Sequence, residues 1–186
     1  MTDIEIIYGF YGLLLGLAVA TITTNLADAL KSRRQVKLGY VPILIGAYIL
    51  LCVVEQWTAM AVLRDVFTFS PLMLVTMLCM ALPYIFVGRA MMPESFAEVG
   101  EIETFYLENK IEILIALLIP PLAASAFNLF YFNDMFPAIL IATAVFKAPL
   151  IVIFVWLLLT RNIRLHRAGY ALACLHLGGT MILRTL

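Results

Sequence analysis

One residue constrains this chain more than any other. The stretch Pro137–Thr160, PAILIATAVFKAPLIVIFVWLLLT, is an apolar run with a single charge, Lys147, close to its middle. At ~1.5 Å of rise per residue it is long enough to cross a bilayer, for which ~20 apolar residues suffice. A lone ammonium at that depth costs ~3 kcal/mol on insertion scales, so it calls for a partner, a water pocket or a shifted pKa.

Five further segments share this apolar character, at about residues 4–27, 41–63, 70–91, 111–132 and 168–183, with the Lys147 stretch at 137–160 as the fifth of six. The chain is 64% hydrophobic and only 13% charged, where soluble domains lie nearer half and a quarter. The expected fold is therefore all-α: an integral membrane bundle of six transmembrane helices forming one domain over 1–186, with nothing over for a soluble one. Twelve Lys and Arg balance twelve Asp and Glu, so nucleic acid is not an implied partner and the lipid bilayer is. Cys52, Cys79 and Cys174 lie singly in apolar runs, as packing residues rather than a disulfide or metal-ligand set. The first segment follows Asp3 and Glu5, whereas a secretory signal carries positive charge there, so it is read as a retained helix.

Between the third and fourth segments lies the one polar stretch. Ser95 and Glu98 have the spacing of a capping box, and Glu98, Glu101, Glu108 and Glu112 recur at helical steps beside Val99, Ile102, Tyr106 and Ile113. This predicts an interfacial amphipathic helix over about 95–110, its acids forming a solvated face. Pro83 in the third segment and Pro120-Pro121 in the fourth predict kinks, because each proline removes a helix donor. Arg64-Asp65 and Asn133-Asp134 mark loops.

Lys and Arg concentrate at one set of loops: Lys31, Arg33, Arg34, Lys37, Arg89, Lys110, Arg161, Arg164 and Arg167, against Arg64 and Arg184 opposite. The positive-inside rule then puts both termini outside. The turn with Arg161, Arg164 and Arg167 is a candidate for contact with anionic lipid head groups. Gly12, Gly16 and Ala20 place small residues four apart on the first segment, a pattern suited to close helix packing within the chain or to a homo-oligomer interface.

The remaining polar residues at bilayer depth are Glu55, Gln56, Asn128 and His176. Counting along the spans places Lys147 and His176 near the midplane and Glu55 about a turn further out, within reach of a long lysine. Such intramembrane groups mark ion or proton paths by default. The expected function is a small transporter or channel-like protein for an ion or small solute, its substrate unknown, with Lys147, Glu55, His176, Gln56 and Asn128 as the site. The alternative is a non-catalytic scaffold, sensor or partner subunit in which the same residues set helix packing. The chain has no His-Glu-x-x-His, Gly-x-Ser-x-Gly, phosphate loop or Cys-x-x-Cys, so it offers no catalytic residues, no metal site and no cofactor site.

Leu38-Gly39-Tyr40 leading to Glu55-Gln56-Trp57, then Phe67-Thr68-Phe69, Met92-Pro93-Glu94, Glu103-Thr104-Phe105-Tyr106 and the run from Thr160 to His166 together resemble a family of small bacterial polytopic membrane proteins of unassigned function. The resemblance implies a fold of about six helices and carries no activity. It also implies a bacterial inner membrane, with the outer face periplasmic.

Overall fold

The computed structural model describes residues 3–34, 36–63, 70–96, 99–131 and 136–183. Arg64, Asp65, Phe67–Phe69, Glu98, Asn133, Asp134 and Arg184, on which some of the expectations above rest, lie outside the described residues. Within them the regular structure is helical: α1 Asp3–Lys31, α2 Val41–Leu63, α3 Pro71–Ala90, α4 Ile102–Tyr131, α5 Phe136–Phe146, α6 Ala148–Leu159 and α7 Ile163–Leu183. Among the described residues, four stretches are long and apolar enough to cross a bilayer: Glu5–Lys31, Val41–Ala61, Pro71–Ala90 and Ile102–Phe130. Their outward residues are apolar too, with Leu13 70% exposed on α1 and Phe130 76% exposed on α4. Helices apolar on the exposed side as well as the buried one suit lipid rather than water.

α2 and α3 begin and end close to where the sequence puts them. Ser70 accepts from the Met73 amide at 3.2 Å and Pro71 takes the first helical position, a start signal in which cap and proline agree. α3 continues through Pro83. α1 runs one turn beyond its expected end, where Lys31 reaches back to Asp28 at 3.0 Å.

Two expectations are corrected. The interfacial helix and the fourth span are one helix, α4, which starts at Ile102, with Ser95 outside it. The cause is a buried stripe, Ile102, Tyr106, Lys110, Ile113, Leu114 and Leu117, whose three- and four-residue steps pass unbroken through the expected boundary. Glu108 and Glu112 stand exposed on the other side. The start of α4 is pinned because Lys37 pairs with Glu101 in an isolated parallel bridge, the Lys37 amide donating to the Gly100 carbonyl and the Ile102 amide to the Lys37 carbonyl. The helix then passes through Pro120 and Pro121, and the Ser125 hydroxyl donates to the Pro121 carbonyl at 2.7 Å.

The fifth segment, expected to be continuous, is instead divided. α5 stops at Phe146, Lys147 forms the turn and α6 starts at Ala148 with Pro149 in its first turn. Pro149 has no N–H to give the carbonyl four residues back, so the ladder fails there. α6 alone, at 12 residues, spans roughly 18 Å, less than the ~30 Å hydrocarbon core. α7 starts earlier than expected because the Asn162 side chain accepts from the Arg164 amide and its carbonyl from those of Leu165 and His166.

α1 packs on α2 and α3, α3 on α4, α4 on α6, and α2 on α7. The Gly12–Gly16–Ala20 stripe is not what brings α1 close to its neighbours: Gly16 and Ala20 are exposed, and a Cβ at Gly16 would touch nothing within 4 Å. The buried face of α1 carries Tyr11, Leu15, Ala18 and Ile22, and the close approaches are made by small residues opposite it. A Cβ at Gly46 of α2 would sit 2.7 Å from Leu26, and one at Gly88 of α3 would sit 3.0 Å from Ile22.

Gly39 holds the turn into α2 at φ +71, and a Cβ there would collide with the Glu103 side chain. Gly39→Ala is therefore expected to lower stability by ~1–2 kcal/mol for the left-handed backbone alone, and further by displacing Glu103. Gly178→Ala, where a Cβ meets nothing, is expected to change it by no more than about 1 kcal/mol. Denaturant unfolding of both variants in detergent micelles checks the contrast.

Candidate functional site: a charged pair in a cavity wall

The break between α5 and α6 aims Lys147 at α2. Its Nζ lies 2.9 Å from Glu55 Oε1 and 3.1 Å from Oε2, so the ammonium bridges both carboxylate oxygens. Glu55 is buried and the lysine side chain 17% exposed. Coulomb attraction rises as the local dielectric falls, while each ion alone would carry a desolvation cost of several kcal/mol. The two charges are thus tolerable together and costly apart.

The pair forms part of the wall of a cavity of about 250 Å³. Each wall is one face of a helix at three- and four-residue steps. α2 presents Tyr48, Cys52, Glu55, Gln56 and Ala59; α3 presents Met73, Thr76, Met77, Met80 and Tyr84; α4 presents Pro120, Pro121, Ala124, Phe127 and Asn128. Tyr11 of α1 donates to Gln56 Oε1, and the Gln56 amide donates to the Tyr84 hydroxyl at 3.1 Å, so Gln56 is held from two sides. Glu55 stands about 21 Å along α2 from Val41 at the helical rise, which puts the cavity in the half of the bundle that holds the start of α1 and the end of α2.

Of the residues singled out from sequence, Lys147, Glu55, Gln56 and Asn128 come together here. His176 does not: its Nε2 donates to the Phe146 carbonyl at 3.3 Å, tying the end of α5 to α7. Gly12 lies beside Trp57, in a second cavity lined also by Glu5 and Tyr8. Tyr11, Tyr84 and the methionines of α3 were not anticipated, although Met73, Met77, Met80 and Tyr84 are legible as a stripe at helical spacing.

The opposite end of the bundle is closed by a polar layer that sequence reading missed. Glu103 Oε1 accepts from the Tyr40 and Val41 amides at 2.8 and 3.0 Å, so it caps α2 from another helix. The same carboxylate takes Arg167 through both Nε, at 3.0 Å, and a terminal guanidinium nitrogen. The guanidinium lies over the Tyr40 ring, 5.4 Å from its centroid. Arg161 and Arg164 are exposed, whereas Arg167 is engaged within the protein.

Lys110, buried on α4, donates to the Leu157, Leu158 and Thr160 carbonyls, the orphan acceptors at the end of α6. His166 Nε2 meets the Thr160 carbonyl at 3.0 Å, and a carbonyl can only accept, so that nitrogen carries the proton. A neutral ring then accepts at Nδ1 from Tyr106, 2.8 Å away, and Tyr106 accepts in turn from Tyr170 at 3.2 Å. Among the described residues no group of three His, Cys, Asp or Glu is arranged to hold a metal.

No protein-family model, curated protein or solved structure matches the chain.

The Glu103 arrangement yields an ordered pair of outcomes. Glu103→Gln keeps an oxygen for the two amides and loses the charge opposite half-exposed Arg167, for an expected loss of about 1 kcal/mol. Glu103→Ala leaves α2 uncapped and the guanidinium unpaired, for an expected loss of about 3 kcal/mol. Equal stability of the two variants in denaturant unfolding would contradict the capping role.

Proposed function

We propose that this is a multi-pass membrane protein of six spans, in which α5 and α6 together form the fifth, and that it moves an ion or small solute through a site containing Glu55 and Lys147. The observation that carries the reading is the charged pair exposed to a cavity at a break in a helix. Dry, fully packed surroundings would leave both ions their desolvation cost, whereas this pair borders a space with room for several waters or a small solute. Broken helices at bilayer depth, with polar groups at the break, are how transport sites expose backbone and charge without meeting lipid. Gln56 and Asn128 add amide groups to the same space. His176 supports the break by holding the Phe146 carbonyl, and so acts on the site from outside it.

In this reading the polar layer of Glu103, Lys110, His166 and Arg167 lies at the inner surface and both termini lie outside, in a bacterial inner membrane. Exposed Arg161 and Arg164 contact anionic head groups there. The exposed face with Gly16 and Ala20 is where a second copy would pack.

The competing reading, a scaffold or partner subunit, draws on the polar layer: its bonds run between helices and fasten them. That layer and the cavity sit at opposite ends, so the layer accounts for packing without accounting for the cavity.

Proteoliposomes carrying the full chain, challenged in turn with imposed H⁺, Na⁺, K⁺, Cl⁻ and amino-acid gradients, test the proposal. Wild type is expected to dissipate at least one gradient faster than empty vesicles. Lys147→Met and Glu55→Gln are expected to lower that flux at least ~10-fold, the double variant Glu55→Gln/Lys147→Met to remain folded but inactive, and Lys147→Arg to retain part of it. Wild-type flux in all four variants, or no flux above empty vesicles for any gradient, would end the transport reading.

A further inference from the structure

The cavity's composition narrows its occupant. A bare anion drawn to Lys147 would separate it from Glu55 and offer the carboxylate nothing. A bare cation drawn to Glu55 would do the same to Lys147. In a low-dielectric wall the exchange is balanced when the incoming molecule brings both charges, so that each member of the pair swaps its partner for an equivalent one. Both oxygens of Glu55 now accept N–H bonds from Lys147, so the replacement cation has to be a donor, which an ammonium is and a quaternary amine is not. On the anionic side, the Lys147 ammonium lines the cavity and is a charged N–H donor suited to a carboxylate.

Beside the amides of Gln56 and Asn128, much of the remaining lining is apolar and polarisable, with Met60, Met73, Met77 and Met80 among it. The volume, about 250 Å³, falls just under the ~300 Å³ lower end of the usual range for ligand pockets, which excludes a peptide-sized occupant. From this we infer that the cavity binds a single small zwitterion with an apolar side chain, of the α-amino-acid class. Its carboxylate is directed to Lys147, its ammonium to Glu55 and its side chain to the methionines. The inference rests on the reading of this cavity as a binding site and names what it takes.

The test uses the full chain in lipid nanodiscs and four probes of matched shape. L-Leucine and L-methionine carry both charges, L-leucinamide only the cation and 4-methylpentanoate only the anion. Equilibrium dialysis with labelled compounds is expected to show saturable one-site binding of at least one amino acid, about 10-fold or more tighter than both single-charge analogues. Ala124→Phe fills the cavity without removing either charge and is expected to abolish that binding while the protein still unfolds cooperatively. Glu55→Gln is expected to weaken it about 10-fold or more, with the same check on folding.

Three results would overturn the inference: neither amino acid binds to cooperatively folded wild type, a single-charge analogue binds as tightly, or binding survives Ala124→Phe. Its fate is separable from that of transport. Zwitterion binding without flux in proteoliposomes supports the inference and removes the transporter. Flux of an inorganic ion with no zwitterion binding removes the inference and keeps the transporter.

Discussion

A positive charge in the middle of an apolar run forces the rest of the bundle to accommodate it. Lys147 is neutralised by Glu55, which lies on a different helix 92 residues away in sequence. The lysine can turn toward α2 because Pro149 withdraws a donor from the helix ladder and the chain breaks at Lys147. The carbonyl at the end of α5 is met by His176 of α7. One charge, one proline and one histidine therefore link α2, α5, α6 and α7. Substituting the lysine or the histidine leaves a polar group in apolar surroundings, which is why the pair reads as a constraint on the fold as well as a site.

The polar layer at the other end solves a different problem with the same chemistry. Helix ends expose amides and carbonyls that need partners, and here the partners are side chains of neighbouring helices: Glu103 for the start of α2, Lys110 and His166 for the end of α6. Each bond thus joins two helices while it satisfies a backbone group. Arg164 and Arg167 lie in the first turn of α7, where the helix dipole opposes positive charge, and Glu103 offsets this for Arg167. The bundle is cross-linked by hydrogen bonds at this end and hollow at the other.

What the sequence made legible follows from which signals are local. The boundaries of α2 and α3 were readable because the apolar runs stop at polar residues such as Arg64 and Ser70. The meeting of Glu55 and Lys147 was readable because charges at bilayer depth are few and must find each other. The unity of α4 was obscured because Glu98, Glu101, Glu108 and Glu112 suggested a surface helix, while the buried stripe through Tyr106 and Lys110 was split between two expected elements. Lys110 looked like an ordinary loop cation. Only the arrival of the end of α6 beside it, 47 to 50 residues away, makes it a cap. For packing within the chain the small-residue stripe of α1 was no guide, because spacing shows only that backbones can approach, and α1 makes its close approaches at Gly46 and Gly88 of its neighbours.

The two ends differ in what a displacement would disrupt. At the polar layer, moving α2, α4, α6 or α7 relative to the others breaks charge-assisted bonds to backbone groups, which are among the stronger contacts a bundle can form. Around the cavity, apart from the Glu55–Lys147 pair and the bonds that hold Gln56, the lining is largely Met, Phe and Pro side chains, which repack at lower cost, and α5 meets the bundle chiefly through α4 and α6. Within α4, Pro120 and Pro121 remove the donors that would reach the Ala116 and Leu117 carbonyls, so the helix is held least firmly by its own ladder where it borders the cavity. The break at Lys147 and the weakened turn in α4 lie on the same cavity. A solute exchanging its own charges with the Glu55–Lys147 pair would therefore act on the part of the fold least able to resist movement, while the capped end keeps the helices in register.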